Sequence, residues 1–271
     1  MNNFSTKKWI SLSIELNKKD DINFLYSNFC NDIIGTFENN GELIFYFDSK
    51  IKDKICSMQN NKFIINDIKY ENWHKGFEQY FKPVKIDNQI TIIPDWYSEA
   101  IESIDSIKIK PGMAFGTGTH ETTQLILSQL KKYIHKGNYI LDLGSGSGIL
   151  AIGALKYGAS FVTCYEYDKD CEDNFFENME LNNISNNYKL LFDDVLLIKD
   201  FSYDCILANI NKKIIIDLLP NIKKFQNSKS KIILSGLLLS DQDEVISLIH
   251  QLKFNLIDTI IKGEWICIVI E

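Results

Sequence analysis

Arginine is absent from the chain: every one of its 29 basic residues is a lysine. Without a guanidinium there is no planar fork for paired hydrogen bonds to a phosphate or carboxylate, and the commonest side-chain reader of guanine is missing. A net charge of −7 gives the surface no long-range attraction for a phosphate backbone either. Both features argue against DNA as a partner. Long apolar runs are lacking as well, and the opening Met1-Asn-Asn-Phe-Ser-Thr-Lys-Lys has no apolar core of a secretory signal. A cytoplasmic protein without membrane association is the expectation. The six cysteines, Cys30, Cys56, Cys164, Cys171, Cys205 and Cys267, include no C-x-x-C pair. They read as reduced core thiols rather than bridges or zinc ligands, and no metal is expected. No internal repeat or low-complexity block occurs.

What is present is an ordinary globular composition: 271 residues, 45% hydrophobic and 24% charged, enough to bury a sizeable core in one large domain or two. Over residues 1–70 the pattern predicts strand Trp9 to Glu15, helix Asn23 to Phe29 and strand Ile33 to Glu38. Strand Leu43 to Phe47, helix Ile51 to Met58 and strand Phe63 to Lys69 follow. The Asn39-Asn-Gly41 turn is a strong hairpin signal, and the βαββαβ order fits a small ferredoxin-like α+β domain. This part shows no site chemistry. Residues 71–95, with Trp73, Phe77, Tyr80 and Phe81 at helical spacing, read as a packed helical connector.

From 96 to 271 helix and strand patterns alternate. Strands are predicted at Ile140 to Leu143, Phe161 to Tyr165, Lys189 to Phe192, Cys205 to Ala208 and Lys231 to Leu234, hence a parallel, Rossmann-like α/β sheet. Phe254 to Ile261 and Trp265 to Ile270 are joined only by Lys262-Gly-Glu264, too short for a crossover helix, so they form a terminal antiparallel hairpin.

The first strand runs into three alternating glycines, Ile140-Leu-Asp-Leu-Gly-Ser-Gly-Ser-Gly148. Such a turn lets a nucleoside lie against bare backbone. A dinucleotide site wants G-x-G-x-x-G, and Ile149 holds the position of its third glycine. Glu166 ends the next strand, where a carboxylate can accept from both ribose hydroxyls. The competing reading is a tight βα turn and a solvated acid.

A second glycine-rich stretch, Lys110-Pro-Gly-Met-Ala-Phe-Gly-Thr-Gly-Thr-His-Glu-Thr-Thr123, opens a helix burying Leu125, Ile126, Leu130 and Ile134 and closing at Gly137. Thr119 is its expected cap. Backbone N–H groups, hydroxyls and His120 at a helix start suit an anionic or polar ligand group, and the plain alternative is a capped loop. Asn209 ends the strand Cys205-Ile-Leu-Ala and faces the crevice of Gly144 and Glu166. There its oxygen could hold an incoming amine, or its side chain could cap the next helix. Asp193 and Asp194, at the third strand's end, could reach an adenine amino group or stand as a solvated turn.

These residues carry a resemblance. Pro-Gly-Met-Ala-Phe-Gly-Thr-Gly-Thr-His-Glu-Thr-Thr, Leu-Asp-Leu-Gly-Ser-Gly-Ser-Gly, Leu-Ala-Asn-Ile, Leu-Ser-Gly-Leu-Leu at 234–238 and the closing Glu-Trp-Ile resemble the PrmA-type ribosomal protein methyltransferases over about 71–271. The resemblance implies a seven-strand S-adenosylmethionine-dependent catalytic domain behind a ferredoxin-like recognition domain. The implied substrates are lysine ε-amines and the N-terminal α-amine of large-subunit ribosomal protein eleven. Cofactor contacts carried over by position fall on Thr123, Gly144, Glu166 and Asn209. Gly146, Gly148 and Asp142 of the first loop, and Phe115 and Thr119 of the second, are grouped with them. Two departures stand out: Glu166 where the family often has Asp, and Asn211-Lys-Lys213 after Asn209. A monomer is expected.

The implied chemistry is an in-line displacement by an amine lone pair on the sulfonium methyl. It requires neutral amine, and at pH 7 a free lysine is deprotonated only to roughly one part in two thousand. Positioning groups are expected, Asn209 first and the Phe115 to His120 loop second, with His120 the candidate proton acceptor. Rival readings are a dinucleotide oxidoreductase, a nucleic-acid amino methyltransferase and a binding module without turnover. A methyltransferase for lysines of another protein completes the set. The nucleic-acid enzymes usually show Asn or Asp followed by Pro-Pro and an aromatic, where this chain has Asn209-Ile-Asn-Lys.

Overall fold

In Trp9–Glu15 every second side chain, Ile10, Leu12 and Ile14, is buried, the signature of a strand with one face against a core. This strand (β1) belongs to the first of two units, Met1–Tyr80 and Phe81–Glu271. A computed structural model describes residues 9–29, 32–39, 41–58, 65–68, 82–87, 90–97, 106–112, 116–226 and 230–271.

In the first unit, helix α1 (Lys19–Phe29) follows β1, then β2 (Ile33–Asn39), β3 (Glu42–Asp48), α2 (Lys52–Met58) and β4 (Ile65–Ile68). The antiparallel sheet runs β2-β3-β1-β4. This is the split βαβ order of ferredoxin-like folds. Leu25 and Phe29 of α1 and Ile55 of α2 pack with Phe45 and Phe47 of β3. Helix α1 begins a turn earlier than the predicted Asn23, with Asp20 and Asp21 in its first turn favoured by the helix dipole. Strand β4 is described at 65–68, and the rest of its predicted span lies outside the described residues.

The second unit starts with strands where the sequence reading placed a connector. Of residues 71–95, 71–81 lie outside the described residues, but Val84–Ile86 (β5) and Ile90–Pro94 (β6) are an antiparallel pair. All five residues of β6 are buried, so its β-branched run has no polar face to mark it as a strand. Ser106–Ile109 (β7) joins β6 in parallel to complete a small three-stranded sheet.

Then come α3 (Glu121–Tyr133), β8 (Tyr139–Leu143), α4 (Ile149–Lys156), β9 (Phe161–Glu166), α5 (Glu172–Leu181) and β10 (Tyr188–Phe192). The chain ends with β11 (Cys205–Asn209), α6 (Lys212–Phe225), β12 (Lys231–Leu238), α7 (Gln242–Gln251), β13 (Leu256–Lys262) and β14 (Trp265–Ile270). The seven-stranded sheet runs β10-β9-β8-β11-β12-β14-β13. Its first five strands are parallel and the expected terminal hairpin is antiparallel.

Both faces are covered, as a doubly wound fold requires. Ile140, Leu207, Ile233 and Val269 join a core with Leu125, Ile126 and Leu130 of α3 and Ile152 of α4. Their neighbours Leu141, Ile206, Ile232 and Ile268 pack with Ile215 and Leu218 of α6 and Val245 of α7. The chain winds outward from β8 through β9 to β10, then returns to β11 on the other side of β8. That reversal is the switch point where open α/β sheets bind ligands. No helix among the described residues is long and apolar enough to cross a membrane.

Candidate active site

The reversal brings the ends of β8 and β11 side by side, Leu143 opposite Ala208. Past Leu143 the chain turns through Gly144, Gly146 and Gly148, with φ of 75°, 50° and 79°. A Cβ at 144 would lie 2.6 Å from Ile210 Cγ2, and one at 148 would lie 2.9 Å from the Phe175 ring. Close approach by a ligand was the sequence-based reason for these glycines. At 144 and 148 the structure supplies a second reason inside the protein: the missing side chains make room for Ile210 and Phe175.

Strand β9 ends on Glu166. Its carboxylate accepts from the backbone N–H of Gly146 (2.8 Å), Tyr167 (2.8 Å) and Asp168 (3.0 Å), which folds it onto the glycine loop. A carboxylate offers about four acceptor positions, so capacity remains for a hydroxyl. Beneath the loop, Asp142 is completely buried, and the backbone N–H of Ala151 compensates its carboxyl only weakly. Burial, reinforced by the charge of Glu166, pushes its pKa up to about 7.

The second glycine-rich stretch enters α3 differently from the prediction. Thr119 is exposed and pairs its hydroxyl with Thr117 at 3.1 Å, and the cap is His120. The imidazole Nδ1 accepts from Thr122 N–H at 3.3 Å and lies 2.8 Å from the Thr122 hydroxyl. A ring nitrogen, one bond further from the backbone than a threonine hydroxyl, does the capping, and the ring rests edge-on against Trp265 at 4.8 Å. The helix ends at Tyr133, short of the predicted Gly137. Phe115 lies outside the described residues.

Thr123 is fully buried in the first turn of α3 and receives a hydrogen bond from Asn209 Nδ2 at 3.2 Å. Asn209 Oδ1 is buried without a partner. The next helix is capped by Asn211, whose side chain accepts from Ile214 N–H at 3.1 Å, so Asn209 is not spent on that task. Lys212 pairs with Asp241 and Glu244. The Asn211-Lys-Lys213 departure thus serves a helix start. Asp194 caps the short turn at Val195–Leu197, and Asp193, exposed, accepts from Asp194 N–H at 2.8 Å. Asp193 N–H in turn donates to the carbonyl of Glu166.

Several residues here escaped the sequence reading. Gln124 donates to the carbonyls of Gly118 (3.1 Å) and Thr119 (2.8 Å) and accepts from Lys262 at 2.6 Å, tying the loop to the terminal hairpin. Ser147 joins the two glycine-rich stretches, its hydroxyl donating to Gly116 O at 2.6 Å. Asn178 reaches both stretches from α5. Only the spacing of Asn174, Asn178 and Asn182, four apart on one helix face, could have flagged it. Taken together, the crevice offers an unpartnered amide oxygen and a strand-end carboxylate. That pair suits a ligand with a hydroxyl and an N–H to donate.

Comparisons with known proteins identify the family. The family model described as ribosomal protein L11 methyltransferase (PrmA) matches residues 17–271, further toward the N-terminus than the motifs reach. Ribosomal protein L11 methyltransferases of Clostridium perfringens, strains SM101 and 13, are each 37% identical over 201 residues, 73% of this chain. The chain spans 64% of the length of these curated relatives. The crystal structure of a ribosomal protein L11 methylase from Lactobacillus delbrueckii subsp. bulgaricus superposes with a TM-score of 0.65 at 29% identity. It covers 70% of this chain and 98% of that one. By fold, by motif and by a match over nearly its whole length, the chain belongs to the ribosomal protein L11 methyltransferase (PrmA) family.

Proposed function

We propose that this chain transfers methyl groups from S-adenosylmethionine to amines of large-subunit ribosomal protein eleven, the lysine ε-amines and the N-terminal α-amine. The observation that carries the reading is the buried, unpartnered Oδ1 of Asn209 at the switch point. A buried acceptor without a donor is costly, and the N–H of an incoming amine would satisfy it. The names of the relatives supply the substrate.

The fit to the cofactor rests on the same crevice. Glu166 would accept from one ribose hydroxyl at its remaining acceptor position, Gly144, Gly146 and Gly148 would lie under the nucleoside, and Thr123 would steady Asn209. When bound, the cofactor supplies a methyl group on a positively charged sulfur. Asn209 holds the amine in line with its oxygen, and the apolar crevice around Ile210 favours the neutral amine over the ammonium. No strong base is required, because the amine can lose its proton to water before it is aligned. His120, with Nδ1 engaged at the helix start, holds the loop.

Incubation of the purified chain with methyl-labelled S-adenosylmethionine and ribosomal protein eleven, free or in the large subunit, tests the proposal. Label confined to that protein, mapped by mass spectrometry to lysine and N-terminal amines, is the expected result. Label in RNA, or in other proteins only, would overturn it.

A further inference from the structure

Asn178 is fully buried on α5, and its amide bonds to the backbone of both glycine-rich stretches. Its Oδ1 accepts from Lys110 N–H at 2.8 Å, where the second stretch begins. Its Nδ2 donates to the carbonyl of Ser147 at 2.9 Å, inside the first. The Ser147 hydroxyl donates in turn to Gly116 O, further along the second stretch. One side chain therefore links the two, and a serine hydroxyl closes the link at a second point. The neighbours on the same face do something simpler. Asn182 grips Lys108, in β7, through both its N–H (3.0 Å) and its carbonyl (2.7 Å), and Asn174 donates to the carbonyl of Lys110 at 2.9 Å.

We propose that Asn178 is a positioning residue that sets the spacing of the two glycine-rich stretches, and through it the affinity for the adenosyl donor. The inference rests on the reading that these stretches hold that donor. An amide suits the position because it presents a donor and an acceptor on one rigid plane, one for a carbonyl and one for an N–H. Aspartate keeps the acceptor but turns an oxygen toward the Ser147 carbonyl. Alanine loses both bonds.

Calorimetric titration with S-adenosylmethionine and S-adenosylhomocysteine, alongside thermal melting, tests the proposal. Asn178→Ala and Asn178→Asp are expected to raise Kd about tenfold or more, whereas Asn182→Ala, which loses three side-chain bonds, two to Lys108 and one to the Asn178 carbonyl, against two for Asn178, lowers Tm and leaves Kd within about twofold. Ser147→Ala keeps every bond of Asn178 and removes the link to Gly116 together with a long bond from Ile149 N–H (3.4 Å), so it is expected to fold and to raise Kd a few-fold. Unchanged Kd in the Asn178 variants would overturn the proposal, and so would wild-type affinity in Ser147→Ala if the Asn178 variants do not fold. Wild-type protein that binds neither compound would instead sink the donor-site reading on which the proposal rests.

Discussion

Asn209 Nδ2 donates to Thr123 Oγ1 at 3.2 Å, joining the end of β11 to the first turn of α3 across 86 positions of sequence. The bond fixes the plane of the amide and leaves its oxygen for a substrate. Asn209→Ala is therefore expected to lower kcat about a hundredfold, the scale of a lost preorganised polar group, with the Kd for S-adenosylmethionine changed much less. Thr123→Val, nearly the same shape without the hydroxyl, frees the amide to rotate and lowers kcat by about tenfold. Single-turnover rates beside calorimetric Kd values check both. Equal losses in Kd and kcat would assign Asn209 to cofactor binding instead.

The buried carboxyl of Asp142 has a pH signature. Its pKa is raised to about 7 in the folded chain, against about 3.9 when unfolded, so between these values the folded state holds the proton more tightly. Stability therefore falls as pH rises through this window, and below it the effect disappears. Between pH 6 and pH 8 the cost grows by on the order of 1 kcal/mol. Asp142→Asn removes the charge and its pH dependence, so the variant gains on wild type as pH rises in urea unfolding at the two values. Parallel curves for the two proteins would contradict the assignment.

Gly148 tests the packing explanation of the glycine turn. A methyl group there meets the Phe175 ring at 2.9 Å on a backbone with φ of 79°. Gly148→Ala is expected to cost about 1–3 kcal/mol, and Phe175→Leu in the same chain to return part of it. A double-mutant cycle from urea midpoints measures the coupling. Zero coupling would mean that the ring does not dictate the glycine.

Thiol chemistry separates the cysteines. Cys56 is exposed, while Cys164, Cys171, Cys205 and Cys267 are buried free thiols. Burial pushes Cys171 and Cys205 up to about 12. Since the thiolate is the reactive form, Cys56 should be alkylated at pH 8 long before these four, which react only on unfolding. Peptide mapping after timed alkylation reads this directly, and early label on Cys205 or Cys267 would contradict it.

The seven-stranded fold was legible because its strands carry near-continuous apolar runs between helices of 3.6 period, and because Lys262-Gly-Glu264 leaves no room for a crossover. Residues 90–94 were not, since a strand buried throughout has no alternation and the neighbouring aromatics suggested a helix. Within the site, Gly144, Glu166 and Asn209 could be placed from their positions at strand ends. Asn178 and Gln124 could not, because a polar residue on a helix reads as solvent-facing until the fold buries it against a distant backbone. His120 misled for a related reason: short hydroxyls and carboxamides are the usual caps, and an imidazole takes that place only where tertiary contacts such as Trp265 hold the ring.

The position of β14 ties the edge of the sheet to the site. Although it follows β13 in the chain, it lies between β12 and β13, and among the described residues β13 pairs with the sheet through it alone. Trp265 and Lys262 sit at the tip of this hairpin, so the stretch that ends in His120 gains these two supports only as the hairpin docks. Support of the second glycine-rich stretch is thereby coupled to closure of the sheet edge, and a chain lacking β14 would lose the Trp265 buttress against His120.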